Sequence, residues 1–186
     1  MGQGYIAVIL DESGKIIRTW VNPHNYGNGY KLMEHSYIRN NFVSVVESLL
    51  SPEGMFYKSR LVWAGDYADE EDGAGNLYSM AMLLEGRECL IPTEDIVAYR
   101  YIVNHTKKLY VDKNLEFADN IYPLSLLTAE GNGRGGGDYK GTCMDLIGTW
   151  ARDVISLEEE LPDGFTELEC QFTEKRFSYA CLSTAL

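Results

Sequence analysis

Runs of hydrophobic residues along the chain predict several β-strands. Two runs of β-branched and aromatic residues, 5–10 and 15–21, are joined by the turn-forming sequence DESG, which predicts a β-hairpin. The apolar run 60–65 predicts a buried strand, and alternation over 95–113 predicts two strands that turn at HTKK. Further strands or extended segments are predicted at 121–127, 146–157 and 160–172.

One segment has the spacing of an amphipathic helix. Over about 37–50, apolar residues recur every three or four positions and so share one helix face. These residues are Ile38, Phe42, Val45, Val46, Leu49 and Leu50. Ser36 is predicted to cap the start of this helix, and Pro52 is predicted to end it. A shorter helix is predicted over 76–86.

The whole pattern predicts an α+β fold with a mainly antiparallel sheet, one principal amphipathic helix and long Gly-rich or acidic loops. The length of 186 residues fits a single domain, 1–186, and no internal repeat or linker divides it. No apolar run approaches the roughly 18 residues that a membrane span needs. The N-terminal sequence MGQGYIAVIL lacks the features of a signal peptide, so we predict a cytoplasmic protein without membrane contact.

The four cysteines form no recognisable pattern. Cys89, Cys143, Cys170 and Cys181 are far apart and include no CxxC pair. In a cytoplasmic protein such cysteines are usually small core residues, and we predict that role for them.

The chain is strongly acidic, with a net charge of -12 at pH 7 and an isoelectric point near 4.6. A surface of this charge repels phosphate groups, so we predict no direct binding of nucleic acid. The same surface attracts positive charge, and we therefore expect a protein partner with a basic surface. The alternative is that the excess of acidic residues only keeps the protein soluble.

The stretch LTAEGNGRGGGDYKG, residues 127–141, is unusually rich in glycine. Its GNGRGG segment matches the G-x-G-x-x-G pattern of dinucleotide-binding loops, but that pattern needs a helix directly after the loop, within a βαβ unit. The sequence GDYKGT that follows is a poor helix former, and no βαβ unit surrounds it. We predict a loop that contacts a partner protein through Arg134, Asp138 and Tyr139. The alternative is an anion held by Arg134 and Lys140.

A second loop, 66–76, concentrates acidic residues directly after the predicted strand 60–65. Its acidic members are Asp66, Asp69, Glu70, Glu71 and Asp72. Their spacing does not fit a calcium-binding EF-hand loop, because the key acidic positions of that loop are missing. We predict a solvated loop, with no metal site and no cofactor. A weak or catalytic metal site is the alternative.

The chain contains no recognisable catalytic motif. The three histidines lack the HExxH spacing of a zinc site, and the G-x-S-x-G turn of serine hydrolases does not occur. If the protein is an enzyme, we expect its catalytic groups to be Asp66, His35 and Asp138, with His35 as a general base and the aspartates acting on a metal or a proton.

Tyrosines are frequent in the loops 22–30, 66–76 and 131–141. Tyrosine offers a large, rigid contact area with a polar end and is enriched at binding hot spots. The alternative is that these tyrosines only cover the edge of the core. The predicted binding residues are Arg134, Asp138, Tyr139, Asp66, Tyr67, Asp69, Tyr26 and Tyr30.

Three segments, GYKLMEHS, VWAGDYAD and GNGRGGGDY, resemble uncharacterised small proteins of gut bacteria and their phages. The resemblance implies an accessory protein of a mobile element. The leading hypothesis is a small non-catalytic binding protein that engages or inhibits a basic partner, such as a host or phage-defence nuclease in the manner of an anti-CRISPR protein. One alternative is an enzyme acting on a phosphorylated or nucleotide-like ligand through the Gly-rich loop 131–141. Another is a structural component of an assembly.

Overall fold

The computed structural model describes residues 2–94, 96–113, 121–132 and 137–173. Within these residues, eight strands form one sheet: β1 (Tyr5–Leu10), β2 (Ile17–Val21), β3 (Ser59–Gly65), β4 (Tyr101–Asn104), β5 (Leu109–Asp112), β6 (Ala129–Glu130), β7 (Val154–Glu158) and β8 (Thr166–Glu167). The α-helices in the same ranges are α1 (Leu32–His35), α2 (Asn41–Leu50), α3 (Leu77–Met82) and α4 (Pro123–Leu127). None of these helices has the length and apolar character that crossing a membrane requires.

The sheet has the strand order β2-β1-β3-β7-β4-β5-β8, and β6 lies beside β3. Most pairs are antiparallel; β3 with β6 and β5 with β8 are the parallel pairs. On one side β3 pairs with β1 along its whole length, and on the other it pairs first with β7 and then with β6. The α+β fold with a mainly antiparallel sheet is therefore confirmed, and β3 pairs with three other strands, β1, β6 and β7.

Helices cover both faces of the sheet near β1 and β3. The larger core packs α1, α2 and α4 against Tyr5, Ala7, Ile9, Leu61 and Trp63. The smaller core packs α3 against the opposite face, which carries Ile6, Val8, Leu10, Val62 and Ala64. Because both faces are buried, YIAVIL in β1 is continuously apolar instead of alternating.

The principal helix begins later than the sequence pattern predicts. Asn40 caps α2, since its side-chain oxygen accepts hydrogen bonds from the backbone N–H groups of Phe42 (3.0 Å) and Val43 (3.3 Å). Arg39 has a φ of 66°, a left-handed conformation that interrupts any helix running through it. The predicted cap, Ser36, instead follows the last residue of α1. Its hydroxyl donates a hydrogen bond to the carbonyl oxygen of Leu32, the first residue of that helix. The prediction is thus correct for 41–50 and wrong for the start of the helix.

Two predicted strand segments are wrong in whole or in part. Residues 121–127 contain the helix α4. Pro123 lies in the first turn of this helix, where a backbone N–H would have no partner within the helix, so proline is compatible with it. In 146–157, only the part from Val154 onward is a strand. Gly148 (φ 71°) and Arg152 (φ 65°) adopt left-handed conformations that break the extended chain before it. The shorter helix α3 is confirmed, but it ends at Met82 and does not reach 86.

Two of the cysteines are not simple core residues. Cys143 and Cys170 form a disulfide with their Cα atoms 6.5 Å apart, whereas Cys89 is a half-buried free thiol. Cys181 lies outside the described residues. Disulfides persist mainly in oxidising compartments, so the cytoplasmic location stays a prediction.

The N-cap of α2 gives a direct test of where this helix begins. Asn40→Ala is expected to lower the free energy of unfolding by about 1–2 kcal/mol, because two amides at the helix N-terminus lose their acceptor. The neighbouring exposed Asn41→Ala is the matched control and is expected to be neutral or slightly stabilising. Urea unfolding monitored by circular dichroism measures both. Equal effects of the two substitutions would contradict the assignment of Asn40 as the cap.

Candidate functional site

The start of β1 and the end of β3 bring two of the predicted loops together. These strands are antiparallel, and Tyr5 lies opposite Gly65. The backbone N–H of Gly4 donates to Asp66 Oδ1 (3.0 Å), which fixes the first residue of the acidic loop against β1. The N–H of Tyr5 donates to the carbonyl oxygen of Tyr30 (2.7 Å), the last residue of the loop 22–30. Both loops therefore leave the same end of the sheet.

The Gly-rich loop reaches the same place through β6, which runs parallel to the end of β3. A Cβ atom on Gly131 would lie 2.3 Å from Gln3 Nε2, and one on Gly137 would lie 3.0 Å from the Tyr5 ring. Gly137 also has a left-handed φ of 56°. Asp138 Oδ1 then accepts a hydrogen bond from the N–H of Met33 (3.0 Å) in α1. These two glycines are thus explained by close packing of the loop against the start of β1.

Internal contacts give the acidic loop a defined shape. Asn76 donates hydrogen bonds to the carbonyl oxygens of Asp66 (2.9 Å) and Ala68 (3.2 Å). Arg152 binds Glu130 through two hydrogen bonds of 2.6 and 2.7 Å, and it also contacts Glu71. An arginine that binds a carboxylate through two hydrogen bonds gains both binding energy and a fixed orientation over a pair with a single hydrogen bond. Glu71 is therefore used to anchor the loop.

Six further carboxylates, together with Tyr67, form what we call the acidic surface, which comprises Glu34, Asp66, Tyr67, Asp69, Glu70, Asp72 and Asp138. All except the half-buried Asp66 are exposed, and Tyr67 exposes 50% of its area. The two aspartates Asp66 and Asp138 both act on Tyr5: burial raises the pKa of its hydroxyl, and the two negative charges raise it further. Lys31 partly offsets Glu34, with its ammonium 3.8 Å from the carboxylate. The three predicted loops thus converge on one acidic surface.

The other loop tyrosines are largely engaged within the fold. The Tyr26 hydroxyl accepts a hydrogen bond from the N–H of Ile91 (3.0 Å). Tyr30 is half-buried, and its ring stacks on His24 with a centroid separation of 4.7 Å. Tyr139 is buried, and its hydroxyl donates to the carbonyl oxygen of Thr142 (2.7 Å). Tyr67 offers the largest tyrosine contact area among the predicted binding residues.

An exposed apolar segment adjoins the loop 22–30. Within the described residues of 83–98, residues 87–89 lie beside the edge strand β2, where Trp20 exchanges backbone hydrogen bonds with Arg87 (3.1 Å) and Cys89 (2.8 Å). Asn25 ties this segment to the loop through a 2.6 Å hydrogen bond to Glu88. The segment leaves large apolar side chains in solvent, including Leu83 at 81% and Leu90 at 67% exposure. Exposed apolar area therefore lies beside one of the three loops.

His35 is held as a neutral residue of the core. Its Nε2 accepts a hydrogen bond from the indole N–H of Trp63 (2.8 Å), and its Nδ1 lies 3.1 Å from the carbonyl oxygen of Gly29. The indole can only donate and the carbonyl can only accept, so the proton resides on Nδ1. Burial lowers the pKa of His35 to about 4. Both ring nitrogens of His35 have partners inside the fold, an arrangement that does not favour proton exchange with a substrate. The catalytic role of His35 stays a prediction.

A serine–histidine contact elsewhere in the sheet has the wrong polarity for catalysis. His105 Nε2 lies 2.7 Å from Ser156 Oγ. The Ser156 hydroxyl donates its proton to Glu158 Oε1 (2.6 Å), so the histidine must donate to the serine. Ser156 is also fully buried. The arrangement therefore does not activate a nucleophile.

The remaining predictions about ligands have little support in the described residues. Arg134, the proposed anion-binding residue, lies outside them, and Lys140 is exposed. The described residues 137–143, which include the end of the Gly-rich loop, form no α-helix. They therefore provide no helix N-terminus that could bind a phosphate. No group of three or more His, Cys, Asp or Glu side chains in the described part of the chain is placed to hold a metal ion.

Sequence reasoning missed one buried ion pair, between Lys113 and Glu47. Burial raises the pKa of the Glu47 carboxyl, and the neighbouring ammonium of Lys113 opposes that shift. A signal existed in the sequence: Glu47 follows Val43 by four residues and precedes Leu50 by three, which places it on the apolar face of α2.

Comparisons of this chain with protein-family models, with curated proteins and with solved structures find no match. The geometry above is therefore the basis for the function proposed below.

The neutral state of His35 makes stability depend on pH. Its pKa is about 4 in the folded protein against an ordinary value of 6.5, so the unfolded chain binds the proton more readily. The contribution is fully present above pH 6.5 and is lost as the pH falls towards 4, by about 3 kcal/mol in total. Denaturant unfolding between these pH values should show this loss for the wild type and a flatter profile for His35→Gln. His24→Gln removes an exposed histidine nearby and is the matched control. Parallel pH profiles for wild type and His35→Gln would contradict the assignment.

Proposed function

We propose that the protein is a non-catalytic binding protein that engages a basic surface of another protein through the acidic surface. The observation that carries the proposal is the convergence of three loops at one end of the sheet, with Asp69, Glu70 and Asp72 exposed beside Tyr67. Anchoring by Arg152 and Asn76 holds these charges close together before a partner arrives. A pre-formed charged loop loses less conformational entropy on binding than an unstructured one.

The chemistry of the surface supports a basic partner. Clustered carboxylates attract Lys and Arg side chains, and the net charge of -12 accelerates encounter with a positively charged protein. Tyr67 supplies a rigid amphipathic contact within the charged region, and the exposed apolar side chains Leu83 and Leu90 belong to a segment that contacts the loop 22–30. The surface therefore combines attraction at long range with contact area at short range.

Basic protein surfaces commonly serve to bind nucleic acid phosphates. The partner in our proposal is a protein of this kind, and the acidic surface inhibits it by occupying its nucleic acid groove. The concrete form of the proposal is an accessory protein that acts against a host or phage-defence nuclease, in the manner of an anti-CRISPR protein.

A charge-reversal experiment tests the proposal. The triple variant Asp69→Lys, Glu70→Lys and Asp72→Lys reverses the charge of three of the six carboxylates of the acidic surface. The control triple Glu159→Lys, Glu160→Lys and Asp163→Lys makes the same change in net charge on exposed residues that follow β7, at the opposite end of the sheet. Each tagged protein is incubated with a nuclease-treated bacterial lysate, and bound proteins are quantified by mass spectrometry at about 50 and about 300 mM salt.

The proposal predicts a basic partner that the wild type and the control triple retain and that the acidic-surface triple loses. Retention should fall at the higher salt concentration, and heparin should displace the partner, because heparin competes as a polyanion. If both triple variants lost the partner equally, net charge and not the position of the acidic surface would determine binding. Binding that ignores salt, or no bound protein at all, would contradict the proposal.

Thermal-shift measurements with nucleotides, with and without Mg²⁺, test the non-catalytic part of the proposal. A ligand that binds the native state raises Tm by mass action. We expect no shift for the wild type. A nucleotide-dependent rise in Tm that Arg134→Ala abolishes would instead support an enzyme acting through the Gly-rich loop.

A further inference from the structure

A fully buried ion pair lies away from the acidic surface, where α2, the end of β5 and the start of α4 meet. Lys113 and Glu47 are 4% and 3% exposed, and Lys113 Nζ lies 2.5 Å from Glu47 Oε1. The hydroxyl oxygen of Tyr122 lies 3.4 Å from the same ammonium, whose charge also faces the Tyr122 ring at 5.4 Å. Three separate elements thus place one cation, one anion and one phenol together.

These three residues line a cavity of about 260 Å³. Its remaining wall is mixed: Ile38 and Ile96 contribute apolar side chains, Ser44 and Thr93 contribute hydroxyl groups, and the exposed Arg39 contributes a charged guanidinium. Small-molecule sites are typically concave, largely apolar and provided with a few polar groups that fix orientation. The volume suits a molecule of roughly ten non-hydrogen atoms, given that one water occupies about 30 Å³.

A gain in stability does not by itself account for this pair. Two charges removed from water lose solvation that their mutual attraction only partly restores, and apolar residues of similar size usually serve a core as well or better. The pair also keeps unused hydrogen-bonding capacity. Among the described residues, only Lys113 donates to the Glu47 carboxylate, and the ammonium has three N–H groups for the two acceptors Glu47 and Tyr122.

We propose that this cavity binds a small zwitterion, an α-amino acid with an apolar side chain. The ligand carboxylate accepts a hydrogen bond from Lys113, and its ammonium donates to Glu47. Its side chain packs on Ile38 and Ile96. Lys113 and Glu47 balance each other's charge, and a ligand that is neutral overall leaves that balance unchanged. The N-terminal turn of α2, which contributes Asn41 and Ser44 to the wall, favours the carboxylate end.

Calorimetry and thermal shift with leucine, methionine and valine test the ligand class. At least one of them is expected to raise Tm in a concentration-dependent way. Leucinamide lacks the carboxylate and 4-methylpentanoate lacks the ammonium, so each leaves one member of the ion pair without a partner. We expect both to bind more weakly than leucine by at least about tenfold. Glycerol tests whether hydroxyl groups alone are sufficient, and we expect no shift from it.

Two variants locate the binding in this cavity. Ala98→Trp places an indole at a residue that lines the cavity, whereas Val97→Trp places one at the neighbouring residue, which does not line it; both residues are exposed. We expect the first to abolish the thermal shift and the second to retain it. The double variant Glu47→Met and Lys113→Met removes both charges together, so it is expected to fold and to lose the shift.

The proposal is overturned if no amino acid shifts Tm at millimolar concentration, or if a singly charged analogue or glycerol binds as well as leucine. Binding that survives both Ala98→Trp and the Met–Met double variant would also overturn it. If Ala98→Trp does not fold, the double variant alone decides the location, since it leaves the cavity open.

Discussion

The antiparallel pairing of β1 with β3 is the interaction on which the rest of the structure depends. Six consecutive residues of each strand are in register, from Tyr5 opposite Gly65 to Leu10 opposite Arg60. A shift by one residue would exchange the two faces of β1 and turn the side chains of one core toward the other. Because the side chains on the two faces of β1 differ in size, that shift would disrupt the close packing of both cores. The register in turn brings the start of β1 to Asp66, where the acidic surface forms.

A second set of contacts transmits this register to the loops. His35 joins Trp63 of β3 to the carbonyl of Gly29, and Asp138 joins the Gly-rich loop to α1. His35 and Asp138, two of the predicted catalytic residues, thus hold loops in place. The exposed carboxylates of the acidic surface are suited to contact with another molecule. The buried Lys113–Glu47 pair is the exception, because its partners within the described part of the fold, each other and Tyr122, do not use all of its hydrogen-bonding capacity.

The sequence was most informative where local signals agreed. Turn residues between two apolar runs identified the hairpin of β1 and β2, and helical spacing identified most of α2. It failed for α4, because a short and entirely buried apolar run has no periodicity that separates helix from strand. For the site, composition indicated which loops were unusual but not that they meet. Nor could it show that His35 is neutral, since its partners Trp63 and Gly29 are fixed by tertiary structure.

Hydrogen–deuterium exchange on the complex with a captured basic partner tests the central claim most directly, because it reports which backbone amides the partner covers. Slower exchange is predicted in the loop 66–76 and in the residues beside it, 30–34 and 137–141. Residues 159–164, at the opposite end of the sheet, should exchange as they do in the unbound protein. Protection confined to 159–164, or no change in 66–76, would contradict an interface at the acidic surface.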